Sequence, residues 1–122
     1  MSEKPLAERL QVKSPRRLAL HSAPPPVAAM LAGTATATLT EAEVVLLFAA
    51  NRAALNAVFA TILPTLRAGA IIWIAYPKLT SKLAGDLNRD IIHAISPAHG
   101  LDAVAQIAID IDWSAMRFKR IG

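Results

Sequence analysis

Two strand-length apolar runs, joined by one amphipathic segment, constrain this chain more than any other feature. Val44 to Ala50 and Ala68 to Tyr76 carry no charged residue. A strand that is apolar at successive positions has both faces covered, as a central strand of a parallel sheet does with helices above and below it. Between the runs, Asn51 is placed to cap a helix. Leu55, Val58, Phe59, Ile62, Leu63 and Leu66 then recur at about 3.6-residue spacing, which gives that helix one apolar face. Pro64 is expected to kink or end the helix, and Gly69 to stop it.

The rest of the chain continues the alternation. Pro5 to Leu10 reads as a short helix, broken by Ser14-Pro15, and Arg16 to His21 as a first strand. Pro24-Pro25-Pro26 halts that strand and leads into a helix over Val27 to Leu31, with Gly33 beyond it. Thr34 to Leu39 reads as a short edge strand, and Glu43 to Ala49 and Ala70 to Tyr76 as the buried strands. Asp86 is expected to cap a helix carrying Leu87, Ile91 and Ile95, which Pro97 limits. Leu101 to Asp112 and Ala115 to Ile121 read as strands, and the short Trp113-Ser114 link makes them an antiparallel hairpin. The expected fold class is α/β: a three-layer, mostly parallel sheet of about five or six strands with a C-terminal antiparallel hairpin and helices on both faces. Residues 1–122 are read as a single truncated domain, with 1–15 as an N-terminal helix and lead-in.

Composition narrows the chemistry. With no cysteine, disulfides, thiolate catalysis and Cys-based metal sites are excluded. Met1-Ser2-Glu3-Lys4-Pro5 lacks the apolar run of a signal peptide, and no stretch reaches the ~18 apolar residues of a membrane span. The bacterial cytoplasm is the expected location, without a membrane partner. The net charge of +4 gathers at the two ends, in Lys4, Arg9, Lys13, Arg16 and Arg17, then Arg117, Lys119 and Arg120. Such ends can attract nucleic acid. No interleaved aromatics accompany them, so that partner is not favoured over solvated charge.

Three stretches carry a resemblance. They are Pro5-Leu6-Ala7 with Leu10 through Leu18; Gly69 through Lys78 with Ser81 and Asp86 through Asp90; and Asp112-Trp113-Ser114-Ala115-Met116-Arg117-Phe118. The pattern resembles the carboxyl-terminal half of class I methyltransferases, whose parallel strands are followed by a final pair with the last strand antiparallel. More closely, it is similar to a bacterial protein family of unknown function with a methyltransferase-like (Rossmann-like) core. The resemblance spans nearly the whole chain and is most specific in the last two stretches. Tyr76 and Ala115 depart from it, standing where Trp and Gly are expected. It implies a fold and supplies no reaction.

Class I methyltransferases hold S-adenosylmethionine over a Gly-rich turn after the first strand, with an acidic residue ending the second. Here that turn is His21-Ser22-Ala23-Pro24-Pro25-Pro26, without glycine, and Glu41 or Glu43 reads as a loop charge. The expectation is therefore no cofactor, with S-adenosylmethionine disfavoured. Ligands of open parallel sheets bind beyond the carboxyl ends of the strands. Lys78, Ser81, Asp86, Trp113, Ser114 and Arg117 are expected to gather there as a shallow basic concavity partly walled by Trp113, with Lys78 and Arg117 facing an anion. Local roles compete with this reading: strand end, helix cap, turn packing, and pairing of Arg117 with Asp110 or Asp112. His21, His93 and His99 lack metal-ligand spacing. Asp90 and His93 are read as a surface pair, and Ser114 lacks nucleophile-elbow glycines. The expected function is a non-catalytic binding or regulatory module on a degenerate methyltransferase-like fold, its partner a protein, a second copy or a small anion. The alternatives are a methyltransferase with an atypical cofactor site and a nucleic-acid binder using the basic ends.

Overall fold

The structure, a computed structural model, describes residues 4–121. Residues 1–3 of the amino-terminal stretch lie outside the described residues. The elements are α1 (Leu6–Arg9), β1 (Leu18–His21), α2 (Pro25–Met30), β2 (Val44–Phe48), α3 (Arg52–Ala57), β3 (Ile71–Pro77), α4 (Arg89–Ile95), β4 (Leu101–Ala108) and β5 (Trp113–Arg120). They build one five-stranded sheet in the order β1-β2-β3-β5-β4.

The two charge-free runs become β2 and most of β3, and both are buried almost throughout. They pair in parallel, Val44 opposite Ile71 and Phe48 opposite Ala75. The expectation of a mostly parallel sheet needs correction. Of four strand pairings, β1·β2 and β2·β3 are parallel, while β3·β5 and β4·β5 are antiparallel. The cause is the hairpin: residues 109–112 are too short to cross over, so β5 folds back between β3 and β4. The link lies there rather than at Trp113-Ser114, which already belong to β5. The expected edge strand over Thr34 to Leu39 is reduced to a single parallel bridge, Leu18 to Thr36. Leu18 N–H donates to Ala35 O, and Ala37 N–H donates to Leu18 O. Because β2 occupies the other side of β1, the chain leaves β1 toward one side and returns on the opposite side.

Helices cover both faces. On one, Val45, Leu47, Ile72, Ile74, Met116 and Phe118 meet the apolar stripe of α3 and its extension, together with Leu87 and Ile92 around α4. On the other, Val44, Leu46, Phe48, Trp73 and Ala115 meet Leu6 and Leu10 near α1 and Val27 and Leu31 near α2. Trp73 is fully buried, and its Nε1–H donates to Leu10 O at 3.0 Å, which ties the end of α1 to the sheet. Asn51 caps α3 as expected, its Oδ1 accepting from Ala54 N–H at 2.8 Å. After Ala57 the helix widens into a π turn over Val58–Ile62 and ends in a 3-10 turn containing Pro64. Proline has no N–H, and its ring crowds the carbonyl four residues earlier, so the α ladder cannot run through it. Gly100, at φ 74°, ends the 3-10 turn after α4 in the left-handed region and aims the chain into β4. At the edge, β4 is mostly exposed and carries a register shift between Ala103 and Ala105, a bulge that blunts strand addition.

Candidate functional site

The carboxyl edge of the sheet holds two features. The first is a crevice of about 340 Å³ at the end of β3, on the face covered by α3 and α4. Its floor is Tyr76 and Ser114, which are cross-strand partners and therefore point to the same face. Tyr76 is 3% exposed, and its Oη is buried without a hydrogen-bond partner among the described residues. The charge of Arg89, and after it the neighbouring Ser114, favour the phenolate. Burial outweighs both and pushes the phenol above its ordinary value of 10.0. Asn88, Arg89 and Asp90 form one wall and Lys78, Leu79 and Thr80 another, with Gln106 of β4 completing the lining. Asn88 Oδ1 is taken by Ile91 N–H at 3.0 Å, so the Asn88 NH₂ group remains for the crevice. Arg89 and Asp90 are loosely paired at 3.4 Å.

The second feature lies at the carboxyl ends of β1 and β2. The chain's path out of β1 reverses here, which makes a topological switch point. The turn after β1 contains Ser22 at φ 57°, so a serine holds the left-handed conformation that glycine ordinarily supplies. β2 is followed by Ala49, which is buried with its N–H donating to Ala75 O, and by the exposed Ala50 and Asn51. Asp86 stands at this edge: its Oδ1 accepts from Arg52 N–H, the first residue of α3, at 2.9 Å.

The six residues singled out in the sequence do not form one site. Lys78 and Ser114 line the crevice. Ser81 donates to Asp112 Oδ1 at 2.7 Å and accepts from Leu83 N–H, which closes the loop after β3 onto the hairpin. Asp86 does not cap α4; Asn88 does, two residues later. Trp113 lies at the same edge as Lys78, opposite Pro77, but its ring packs against Phe48 on the other face, with centroids 5.0 Å apart. It therefore does not wall the crevice. Arg117 stands opposite Trp73, four residues down β5, beside a cavity lined by Gly69 and Ala70. The expected basic concavity joining Lys78 to Arg117 is not formed. The pairing of Arg117 with Asp110 or Asp112 does not form either: Asp110 accepts from Asp112 N–H and Trp113 N–H, and Asp112 takes Ser81.

The acidic residues weighed for a ribose lie at the opposite edge. Glu43 binds Arg17 at 2.9 Å and Arg67 at 2.6 Å, before β2 begins. Hydrogen bonds from Arg17 hold its carboxyl at about 2. Glu41 sits beside it, its carbonyl accepting from both arginines. Several cations of the basic ends are bound to the fold: Arg9 to Ala108 O, Arg16 to Gln11 O and Arg120 to Leu63 O. His99 stacks on Phe59, with centroids 4.1 Å apart. Among the described residues, no three His, Asp or Glu gather as metal ligands, and no helix is long and apolar enough to cross a membrane.

Sequence reasoning missed Tyr76, Asn88, Arg89, Asp90 and Gln106. A signal for Tyr76 existed. It ends a strand buried on both faces, where a phenol must find a partner or remain unpaired.

No family model matches this chain, and a comparison with curated proteins finds no match. Solved structures of LepI are among those that resemble it in fold. LepI in complex with SAM superposes with a TM-score of 0.50 at 14% identity, covering 94% of this chain and 39% of that one. A LepI variant in complex with SAH and a substrate analogue gives a TM-score of 0.50 at 16% identity, with the same coverage. The chain thus spans 39% of the length of these neighbours. The likeness is one of fold, and it supports the methyltransferase-like architecture. It also corrects the expectation of no cofactor: the two neighbours of this fold are held with SAM and with SAH.

Proposed function

We propose that this chain binds S-adenosylmethionine at the carboxyl ends of β1 and β2, as a methyltransferase-type domain with an atypical cofactor site. The observation that carries the reading is that the chain bridges one side of β1 at Thr36 and returns as β2 on the other, a switch of side of the kind at which doubly wound sheets take nucleotide ligands. Ser22 supplies the turn that glycine would supply, and the small, exposed Ala50 permits close approach. Asp86 supplies the carboxylate from the loop after β3 rather than from a second strand. One of its oxygens holds Arg52 N–H, and the other is open to a ribose hydroxyl. When bound, the cofactor provides an electrophilic methyl group; the chain's residues bind and orient it.

A second reading is a non-catalytic binding or regulatory module. It is favoured by Pro25 and Pro26, which open α2 without N–H donors and so weaken the approach to an anionic group. Calorimetric titration with S-adenosylmethionine and S-adenosylhomocysteine separates the two. Micromolar binding, weakened in Asp86→Asn, supports the cofactor site. Absence of heat at millimolar ligand overturns it.

A further inference from the structure

We propose that the crevice at the end of β3 is a second ligand site, distinct from the proposed cofactor site at the ends of β1 and β2, which takes a small organic molecule carrying an oxyanion. Its central observation is that Tyr76 lines an open cavity while its hydroxyl is buried just behind that surface, without a hydrogen-bond partner among the described residues. Buried polar groups are almost always paired, and an orphan in a pocket marks a group positioned for something else. The remaining lining fits one chemistry. Lys78 and Arg89 stand at the rim against the single carboxylate of Asp90, leaving a net positive mouth. The Asn88 NH₂ group, freed because its oxygen caps α4, adds a neutral donor. Leu79, three-quarters exposed, and Pro77 supply an apolar wall for a flat or aliphatic body. The volume of about 340 Å³ is at the small end of ligand pockets. The site therefore reads as cationic mouth, apolar wall and hydroxyl floor. A phosphate or carboxylate meets Lys78 and Arg89, and a polar atom at the far end of the ligand reaches Tyr76 and Ser114.

The test is amide chemical-shift titration of the full chain with phenyl phosphate, benzoate and inorganic phosphate, repeated on Tyr76→Phe and Arg89→Gln. The first two probes ask whether the oxyanion is a phosphate or a carboxylate, and the third whether the organic body matters. The expected result is saturable shifts at Tyr76, Asn88, Arg89 and Ser114 with at least one organic probe. Arg89→Gln should weaken that probe by about tenfold. With 4-hydroxyphenyl phosphate, whose far hydroxyl can reach Tyr76, Tyr76→Phe should lose about as much. Both variants should melt no lower than wild type, so that lost binding is not lost folding. No saturable shift with any probe overturns the proposal. So does binding that is unchanged in both variants, or inorganic phosphate binding as tightly as its phenyl ester. Shifts with S-adenosylhomocysteine at residues 21–23 and 49–51 belong to the proposed cofactor site, so either site can fail without the other.

Discussion

Replacing Tyr76 with phenylalanine should stabilise this protein. The hydroxyl is buried without a partner, while the ring is packed on the same face as Ile74 and Met116. An unsatisfied buried polar group costs about 1–3 kcal/mol. Removing one oxygen leaves a small void that offsets part of this, so the gain falls at the low end, about 1 kcal/mol. For a chain of this length that is a rise in Tm of about 4 °C. Thermal melts of wild type and variant at neutral pH measure it. The chain has one tyrosine, so phenolate absorbance reports on this residue alone. The folded phenol lies above its ordinary value of 10.0 because burial disfavours the charged form. Its contribution to stability is therefore fully present below 10.0 and is lost as pH rises through the folded value. The variant should lack that alkaline loss. A less stable Tyr76→Phe protein, or a folded phenol titrating at or below 10.0, would refute the reasoning.

Trp73→Phe should cost about 2–4 kcal/mol, from the smaller ring and the orphaned Leu10 carbonyl, read as a lower urea midpoint with faster amide exchange around Leu10. Glu43→Gln should flatten the acid limb of stability. The carboxyl sits at about 2 rather than 4.5, so its contribution is present above 4.5 and lost as pH falls toward 2, which acid-unfolding curves of the two proteins resolve. Gly100→Ala should cost about 1 kcal/mol in denaturant unfolding. At φ 74° the position is left-handed, while the space around it is open, so backbone strain alone sets the loss.

The layers of this fold were legible in the sequence because period and burial agree there. The charge-free runs fixed β2 and β3, and the stripe from Leu55 to Leu66 fixed the helix between them. Pairing was less legible. The hairpin foretold β5 against β4, but nothing in composition weighs a strand's second neighbour, so the balance of parallel and antiparallel pairs was misjudged. The site was the least legible part. Lys78 and Ser114 were placed at the crevice, whereas Arg117 was expected there because long side chains seemed able to span the register that separates them. Register decides this: four residues down an antiparallel strand put Arg117 opposite Trp73, toward the other edge. Asp86 and Asn88 are equally good caps by type, and only the helix start at Arg89 chose between them.

The measurement that bears most directly on the proposed function is an amide chemical-shift map of the chain with S-adenosylhomocysteine. The cofactor reading predicts saturable shifts concentrated at His21, Ser22 and Ala23, at Ala49 through Arg52, and at Asp86, with Tyr76 and Ser114 little changed. Shifts absent at saturating ligand, or confined to the amino edge around Glu43, would contradict it.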